Sequence, residues 1–364
     1  MKIVVIGTRG IPNIQGGVET HCQQLYPRIA AMGHDVTVIR RSCYITPDNN
    51  ILSYRGVKLI DLYAPRIKSI EAIVHTFLGA IKARQLGADI VHVHADGPSM
   101  MVPICRLLGM KVVMTNHGPE YDRKKWGRLA KIVLKFGEYI GTKFSNQVIV
   151  IAQFINNILV EKYNRTDANL IFNGVETPTK STSTDYIEQL GLKPQKYVLA
   201  VGRFVEEKAF HDLIEAFASL GDTGYKLVLA GDADHEDEYS IRLKDIAKKH
   251  HVVLTGFIRG EKLNQIYTHA ALFCLPSYHE GLPISLLEAM SYNLDVAVSD
   301  IEANRLSCLN VNDFFKTGNT EQLSQLLKKK LSAPHLNRVY DLSLYNWDHI
   351  ARQVVEVYKK ALGE

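Results

Sequence analysis

The chain begins Met1-Lys2-Ile3-Val4-Val5-Ile6-Gly7-Thr8-Arg9-Gly10-Ile11-Pro12-Asn13-Ile14-Gln15-Gly16-Gly17-Val18-Glu19-Thr20. A continuous β-branched run stops at a glycine-rich turn, and helical spacing starts near Val18. A run that is apolar at every position, not every second one, is the mark of a parallel strand buried on both faces. Gly16-Gly17 lets a backbone come close to a ligand, and the helix behind it offers unbonded N–H groups, so the turn reads as an anion site. The spacing does not fit the dinucleotide GxGxxG. The opening run reads as a strand and not as a signal peptide, since no cleavage site follows it.

The same strand–turn–helix unit recurs along the chain. Short apolar runs lie at Ile3–Ile6, Val36–Ile39, Ile90–Val93, Lys111–Thr115, Val148–Ile151, Leu170–Phe172, Val198–Val201, Leu227–Ala230, Val252–Thr255, Leu272–Leu275 and Val296–Ser299. Helical spacing marks Val18–Met32, Phe210–Ser219, Ile241–Lys249, Pro283–Ser291 and a final amphipathic segment from Tyr345. Alternation of this kind predicts α/β architecture with helices on a parallel sheet. The 364 residues suit two domains. The break is expected after Asn173-Gly174-Val175, giving a first domain over 1–175 joined by the C-terminal helix 345–364, a linker over 176–195 and a second domain over 196–344. The two doubly wound domains are expected to face each other across a cleft, with ligands outside the carboxyl ends of the strands.

Composition narrows the function classes. Hydrophobic residues make up 46% and charged residues 22%, which excludes global disorder and coiled coil. No apolar run reaches the roughly 20 residues of a membrane-spanning helix. The five cysteines, Cys22, Cys43, Cys105, Cys274 and Cys308, are scattered without a CxxC pair, which points away from a zinc site and towards a reducing, cytoplasmic compartment. Residues 1–180 carry ten more basic than acidic side chains and the remainder five fewer. A basic half suits a phosphorylated ligand, an anionic membrane or a nucleic acid, or is simply a solvated surface. No RNP, KH or zinc-finger pattern supports the nucleic acid.

Three stretches carry chemistry. Gly202-Arg203-Phe204-Val205-Glu206-Glu207-Lys208-Ala209 follows a strand and places Arg203 and Lys208 where they would neutralise a diphosphate. Pro276-Ser277-Tyr278-His279-Glu280-Gly281-Leu282-Pro283-Ile284-Ser285-Leu286-Leu287-Glu288 puts Glu280 in a loop and Glu288 on the following helix, with Pro283 expected at the first helical position. Their offset suits two parts of one ligand better than one metal, since carboxylates accept well from sugar hydroxyls. Thr115-Asn116-His117-Gly118 sets His117 at a strand end, where a histidine is either structural or catalytic. Asp232-Ala233-Asp234 imitates a DxD metal motif but reads as a solvated acidic loop, and His92 and His94 alternate on a strand without a third metal ligand. Arg123-Lys124-Lys125-Trp126-Gly127-Arg128-Leu129-Ala130-Lys131-Ile132-Val133-Leu134-Lys135-Phe136 combines cations, a Trp and an apolar face. It reads either as a membrane-surface helix or as an ordinary one with snorkelling Lys and Arg.

Glu280 and Glu288, seven residues between them, resemble the EX7E motif of the family-four retaining glycosyltransferases of GT-B fold. Gly202-Arg203…Glu207-Lys208, Gly16-Gly17 and Asn173-Gly174-Val175 resemble that family's other motifs, in its order and over essentially the whole chain. The stretch from Gly7 to Thr20 more closely resembles bacterial rhamnosyltransferase-like members that build surface glycans. The resemblance implies a metal-independent glycosyltransferase of hexosyltransferase type. It implies two Rossmann-like domains, a nucleoside-diphosphate sugar as substrate (UDP- or dTDP-linked) and no cofactor. A lipid-linked or growing glycan would be the acceptor, at the inner face of the membrane.

By the resemblance, Arg203 and Lys208 bind the diphosphate and Glu288 holds the ribose. Glu280, Gly281, Leu282, Ile284 and Ser285 hold the donor sugar and phosphate, Gly16 and Gly17 approach it from the first domain, and Phe257 and Ile258 flank the base. His117 matches the active-site histidine. Asp96, Gly97, Glu120, Arg123 and Trp126 are candidates for the acceptor side. Three positions depart from the family pattern: Ala209 and Ala152 stand where Gly and Ser are usual, and Asn293-Leu294-Asp295 replaces a small-residue turn. A sugar-nucleotide 2-epimerase is the competing enzyme class, and a non-catalytic nucleotide-sugar-binding protein is the competing reading without chemistry.

Overall fold

The computed structural model describes the whole chain except residues 68–69, 123–126 and 334–336. It divides into two units, Met1–Gly174 with Tyr345–Glu364, and Val175–Leu344. The first unit holds eight strands: β1 (Lys2–Ile6), β2 (Asp35–Arg41), β3 (Ser53–Tyr54), β4 (Val57–Leu62), β5 (Ile90–His94), β6 (Lys111–Asn116), β7 (Gln147–Val150) and β8 (Asn169–Leu170). Their order is β3-β4-β2-β1-β5-β6-β7-β8, parallel throughout except for β3 against β4. The second unit holds β9 (Tyr197–Val201), β10 (Lys226–Ala230), β11 (Val253–Leu254), β12 (Leu272–Leu275), β13 (Val296–Ser299) and β14 (Phe314–Phe315), all parallel in the order β11-β10-β9-β12-β13-β14. The α/β class with two parallel, Rossmann-like sheets is thus what the strand runs implied.

The continuous apolar runs are explained by burial on both faces. On β1, Ile3 and Val5 face a core shared with Leu25 and Tyr26 of the helix Gly17–Ala31 and with Ile350, Val354 and Tyr358 of the helix Trp347–Leu362. Val4 and Ile6 face the opposite core, with Ala80 and Ala83 of the helix Glu71–Gln85. The second sheet repeats this plan: Tyr197 and Leu199 face one core, Val198 and Ala200 the other. The C-terminal helix starts at Trp347, two residues later than the pattern suggested, because Asn346 caps it by accepting from the N–H groups of Asp348 and His349 at 3.0 Å. Trp347 then occupies the space beside Gly174, where a Cβ would lie 2.5 Å from the indole.

Three readings are corrected. The hairpin β3–β4 was not legible, since Val57–Leu62, next to the edge strand β3, alternates more and less buried positions and lacks a continuous run. Its two-residue turn, Arg55-Gly56, has positive φ at both positions, the backbone a tight hairpin requires. The stretch 176–195 is not a bare linker: it carries the helix Asp185–Gln189, and Ile187 and Leu192 are buried in the second unit's core. Pro283 is the N-cap of the helix Ile284–Ser291, with extended backbone, not its first residue.

Ala152 also caps a helix, Gln153–Tyr163, from an extended conformation and without a side-chain hydrogen bond. A hydroxyl there would satisfy a first-turn N–H. Ala152→Ser is expected to raise stability by about 0.5–2 kcal/mol in denaturant unfolding; no gain would show that the first-turn donors are already satisfied.

Candidate active site

Each sheet reverses its strand order next to its first strand. In the second unit β10 and β12 lie on opposite sides of β9, so the loops leaving β9 and β12 diverge at their carboxyl ends and leave room for a ligand. Those loops carry Arg203, Lys208 and Glu280. The Lys208 ammonium donates to Glu280 Oε1 at 2.6 Å, and the Ser277 hydroxyl donates to the same oxygen at 2.6 Å. The β12 loop is tied back by the Tyr278 N–H, which donates to the Glu207 carbonyl at 2.8 Å. Burial would raise the Glu280 carboxyl, but the ammonium and the serine hydroxyl outweigh it and hold the group below its ordinary value. Glu280 is therefore an anion held in place from two sides.

Arg203 makes a different pair. Its Nη1 donates to Asp234 Oδ2 at 2.8 Å, with both side chains less than one-fifth exposed. The acidic loop read as solvated therefore supplies a specific partner, while Asp232 pairs with Lys244 at 3.0 Å. Glu288 stands on the helix Ile284–Ser291 and accepts from the Tyr267 hydroxyl at 2.9 Å; Tyr267 stacks on Tyr292 at 5.0 Å between centroids. Burial pushes the Glu288 carboxyl up to about 7, against the opposing pull of that hydrogen bond. The amides of Ile284 and Ser285 precede the first bond of their helix and are available to an anion. Gly281 adjoins Glu280, Leu282 is buried, Phe257 is exposed and Ile258 packs against the core.

The first unit gathers its candidates at the carboxyl ends of β1, β5 and β6, again where the strand order reverses. Gly16 caps the helix Gly17–Ala31 at φ 148°, and a Cβ there would meet the Glu19 carboxylate. Gly17 is exposed with open space where its side chain would be. Glu19 itself accepts from the Thr8 hydroxyl and from the Arg9 N–H at 3.1 Å, so the loop already contains one carboxylate near the helix start. His117 follows β6, and its Nε2 meets His94 Nδ1 at 2.9 Å.

The acceptor-side candidates divide. Asp96 is fully buried and receives the Glu120 N–H at 3.4 Å, a position from which its side chain cannot meet an acceptor without rearrangement. Gly97 and Glu120 are half-buried, and Arg123 and Trp126 lie outside the described residues. Ser277, Asp234, Tyr267 and His94 were not singled out as site residues; Asp234, Tyr267 and His94 meet their partners only through folding, while Ser277 lies three residues from Glu280 on one loop. A hydroxyl or carboxylate on the loop after a parallel strand is the one sequence signal that could have flagged Ser277 and Asp234.

A family model described as Glycosyltransferase Family 4 matches residues 15–178, and one described as Glycosyl transferases group 1 matches residues 182–341. Between them they span nearly the whole chain. An uncharacterized glycosyltransferase of Methanocaldococcus jannaschii is 26% identical, with 100% of this chain and 99% of that protein covered. Among solved structures, sucrose-phosphate synthase from Thermosynechococcus elongatus superposes with a TM-score of 0.82 at 22% identity, covering 98% of both chains. HepE from Anabaena, in complex with UDP and glucose, gives 0.79 at 15% identity and the same coverage.

Glu288 provides a pH test. Its folded pKa, about 7, lies above the ordinary 4.5, so the buried neutral form stabilises the fold fully at low pH, and that contribution is lost as pH rises through about 7. Glu288→Gln cannot ionise and should escape this loss. Thermal unfolding at pH 5 and pH 8 is expected to show the variant gaining on the wild type by about 2–3 kcal/mol at the higher pH; equal differences at both would remove Glu288 as the titrating group.

Proposed function

We propose that this chain, which belongs to the GT-B glycosyltransferases of the group 1 and family 4 type, moves a sugar from a nucleoside-diphosphate sugar to an acceptor hydroxyl with retention at the anomeric carbon. The observation that carries the reading is the Lys208–Glu280 pair that joins the loops after β9 and β12, with Arg203 on the same loop as Lys208 and held by Asp234. Two fixed cations there would meet the charge that grows on the departing diphosphate, the kind of preorganised electrostatics that lowers a transition state most. Glu280 would accept from the sugar hydroxyls and Glu288 from the ribose diol, while the amides of Ile284 and Ser285 meet a phosphate oxygen. His117 would contact the transferred sugar, and the leaving phosphate would assist deprotonation of an acceptor attacking from the same face. The donor is read as UDP- or dTDP-linked, in keeping with the UDP held by HepE. With both cations supplied by side chains, the reading needs no resident cofactor or metal, so turnover should be insensitive to chelators.

For the acceptor we favour a lipid-linked or growing surface glycan reached from the cytoplasmic side; the free thiols of all five cysteines suit that reducing compartment. Among the described residues no helix is long and apolar enough to cross a membrane. The first unit does present apolar side chains outward. Leu129, Ile132, Phe136 and Tyr139 form an exposed stripe on the helix Arg128–Phe144, beside Arg128, Lys135 and Lys143. Ile73, Phe77 and Ile81 form another on the helix Glu71–Gln85, and both helices pack against the segment 98–107. Apolar stripes edged by cations suit peripheral contact with an anionic bilayer.

The first test is thermal stabilisation by UDP, dTDP, GDP and ADP and by their sugar conjugates. A shift with one base supports a donor site and names the donor; no shift, with no heat in calorimetry, favours a non-catalytic protein. Arg203→Ala is expected to lower kcat/KM roughly a hundredfold with the fold intact, and unchanged kinetics would reject the diphosphate role. Replacing Leu129, Ile132 and Phe136 together by Ser should abolish sedimentation with vesicles containing phosphatidylglycerol; unchanged sedimentation would exclude this helix.

A further inference from the structure

The loops after β9 and β12 are joined by more than the Lys208–Glu280 pair. Tyr278 crosses between them twice. Its N–H donates to the Glu207 carbonyl at 2.8 Å, and its hydroxyl donates to Asp212 Oδ2 at 2.7 Å. Asp212 lies in the first turn of the helix Phe210–Ala218, which follows the β9 loop. His211 Nε2 stands 3.2 Å from the same hydroxyl and 3.4 Å from Asp212 Oδ1. All these residues belong to the second unit.

Tyr278 precedes Glu280 by two residues, and Asp212 follows Lys208 by four. The hydroxyl bond therefore spans the same two segments as the ammonium–carboxylate bond. A carboxylate in a first helical turn has an ordinary use, complementing the helix dipole. Here it is also engaged from across the site. Burial and the Asp212 carboxylate together raise the Tyr278 hydroxyl, so it keeps its proton for this bond. Asp212 is 13% exposed, so water competes weakly for its oxygens. A hydrogen bond to a charged acceptor in such a place is stronger than one between neutral groups in solvent.

The three links differ in what a ligand would do to them. Lys208 and Glu280 are the groups that the proposed donor would claim, the diphosphate taking the ammonium and the sugar the carboxylate. Their mutual bond would be given up at the moment when the two loops must stay in register. Neither bond of Tyr278 uses a group assigned to the donor.

We infer that Tyr278 and Asp212 are positioning residues, which brace the Glu280 loop against the Lys208 loop when the Lys208–Glu280 bond is given up. Their bearing on catalysis rests on the donor site proposed above; the bracing itself does not.

Hydrogen exchange of the amides of residues 277–281, in the full chain, reads the bracing directly. Lys208→Met with Glu280→Gln removes the ion pair and leaves no unpaired charge behind. This variant should keep the loop as protected as in the wild type, and so should Tyr278→Phe alone. All three substitutions together should speed exchange roughly tenfold or more. Fast exchange without the ion pair alone, or full protection in the triple variant, would overturn the inference. UDP should act as removal of the pair does: it should leave the wild-type loop protected and speed exchange in Tyr278→Phe. Equal exchange with and without bound UDP in that variant would mean that the tyrosine only packs. With a donor that turns over, Tyr278→Phe and Asp212→Ala should each lower kcat roughly tenfold, with KM for the donor nearly unchanged because Arg203 and Lys208 still hold the diphosphate. Asp212→Asn keeps an oxygen to receive the hydroxyl and should restore kcat; unchanged kcat in the first two variants would reject the positioning role. If UDP does not bind the wild type, the proposed donor site fails, and the bracing is still decided by the variants without ligand.

Discussion

Both units depend on the same constraint: a parallel strand buried on two faces must leave its sheet through a loop at its carboxyl end. Where the next strands lie on opposite sides, those loops part. In the second unit the loops after β9 and β12 part beside each other, which places Lys208, on the loop that also carries Arg203, against a carboxylate more than seventy positions later in the chain. In the first unit the same reversal sets the Gly16-Gly17 loop near the ends of β5 and β6, the latter followed by His117. Site positions are thus consequences of sheet topology, and the identity of the side chains is a separate choice made on top of it.

That separation is visible at Ala209. The position has φ 50° and ψ 34°, left-handed backbone, and is fully buried. Alanine there carries a cost of about 1 kcal/mol that glycine would avoid. The conformation ends the turn Glu206–Lys208 and starts the helix Phe210–Ala218, so the aim of Lys208 is set by backbone that the residue itself disfavours. The departure from the family's usual glycine therefore takes its toll in local stability. Asn293, at φ 64° in the turn before β13, meets the same demand with a residue that tolerates it better.

What the sequence showed and what it hid follow from the range of the interactions. Continuous apolar runs reveal strands because burial on both faces is a local property, and a strand–loop position marks Arg203, Lys208, Glu280 and His117 by chain neighbours alone. Partners are not local. Asp234 lies 31 positions from Arg203 and Tyr267 lies 21 from Glu288, and neither separation has a period to detect. The burial of Asp96 is hidden for the same reason: it follows a strand, like the other candidates, but the helix Arg128–Phe144 covers it, with Gly137 lying so close that a Cβ would touch the Asp96 carbonyl. The hairpin β3–β4 escaped because β3 is two residues long and β4, beside it, buries mainly one face.

The two cations of the second unit are each already paired, Arg203 with Asp234 and Lys208 with Glu280. Unpaired, such partly buried charges would repel each other and bear the full cost of desolvation. Paired, they are held in place before any ligand arrives, which is the condition for an electrostatic site to work without reorganising. The pairs differ in a way that matters. Asp234 sits on the loop after β10, while Glu280 is additionally fixed by Ser277 on its own loop. In the proposed reaction a diphosphate drawing on Lys208 would leave Glu280 with a remaining donor and an open lone pair, the state in which a carboxylate best receives a sugar hydroxyl. The same ammonium that pairs with Glu280 would, on binding, hand its counter-ion to the sugar.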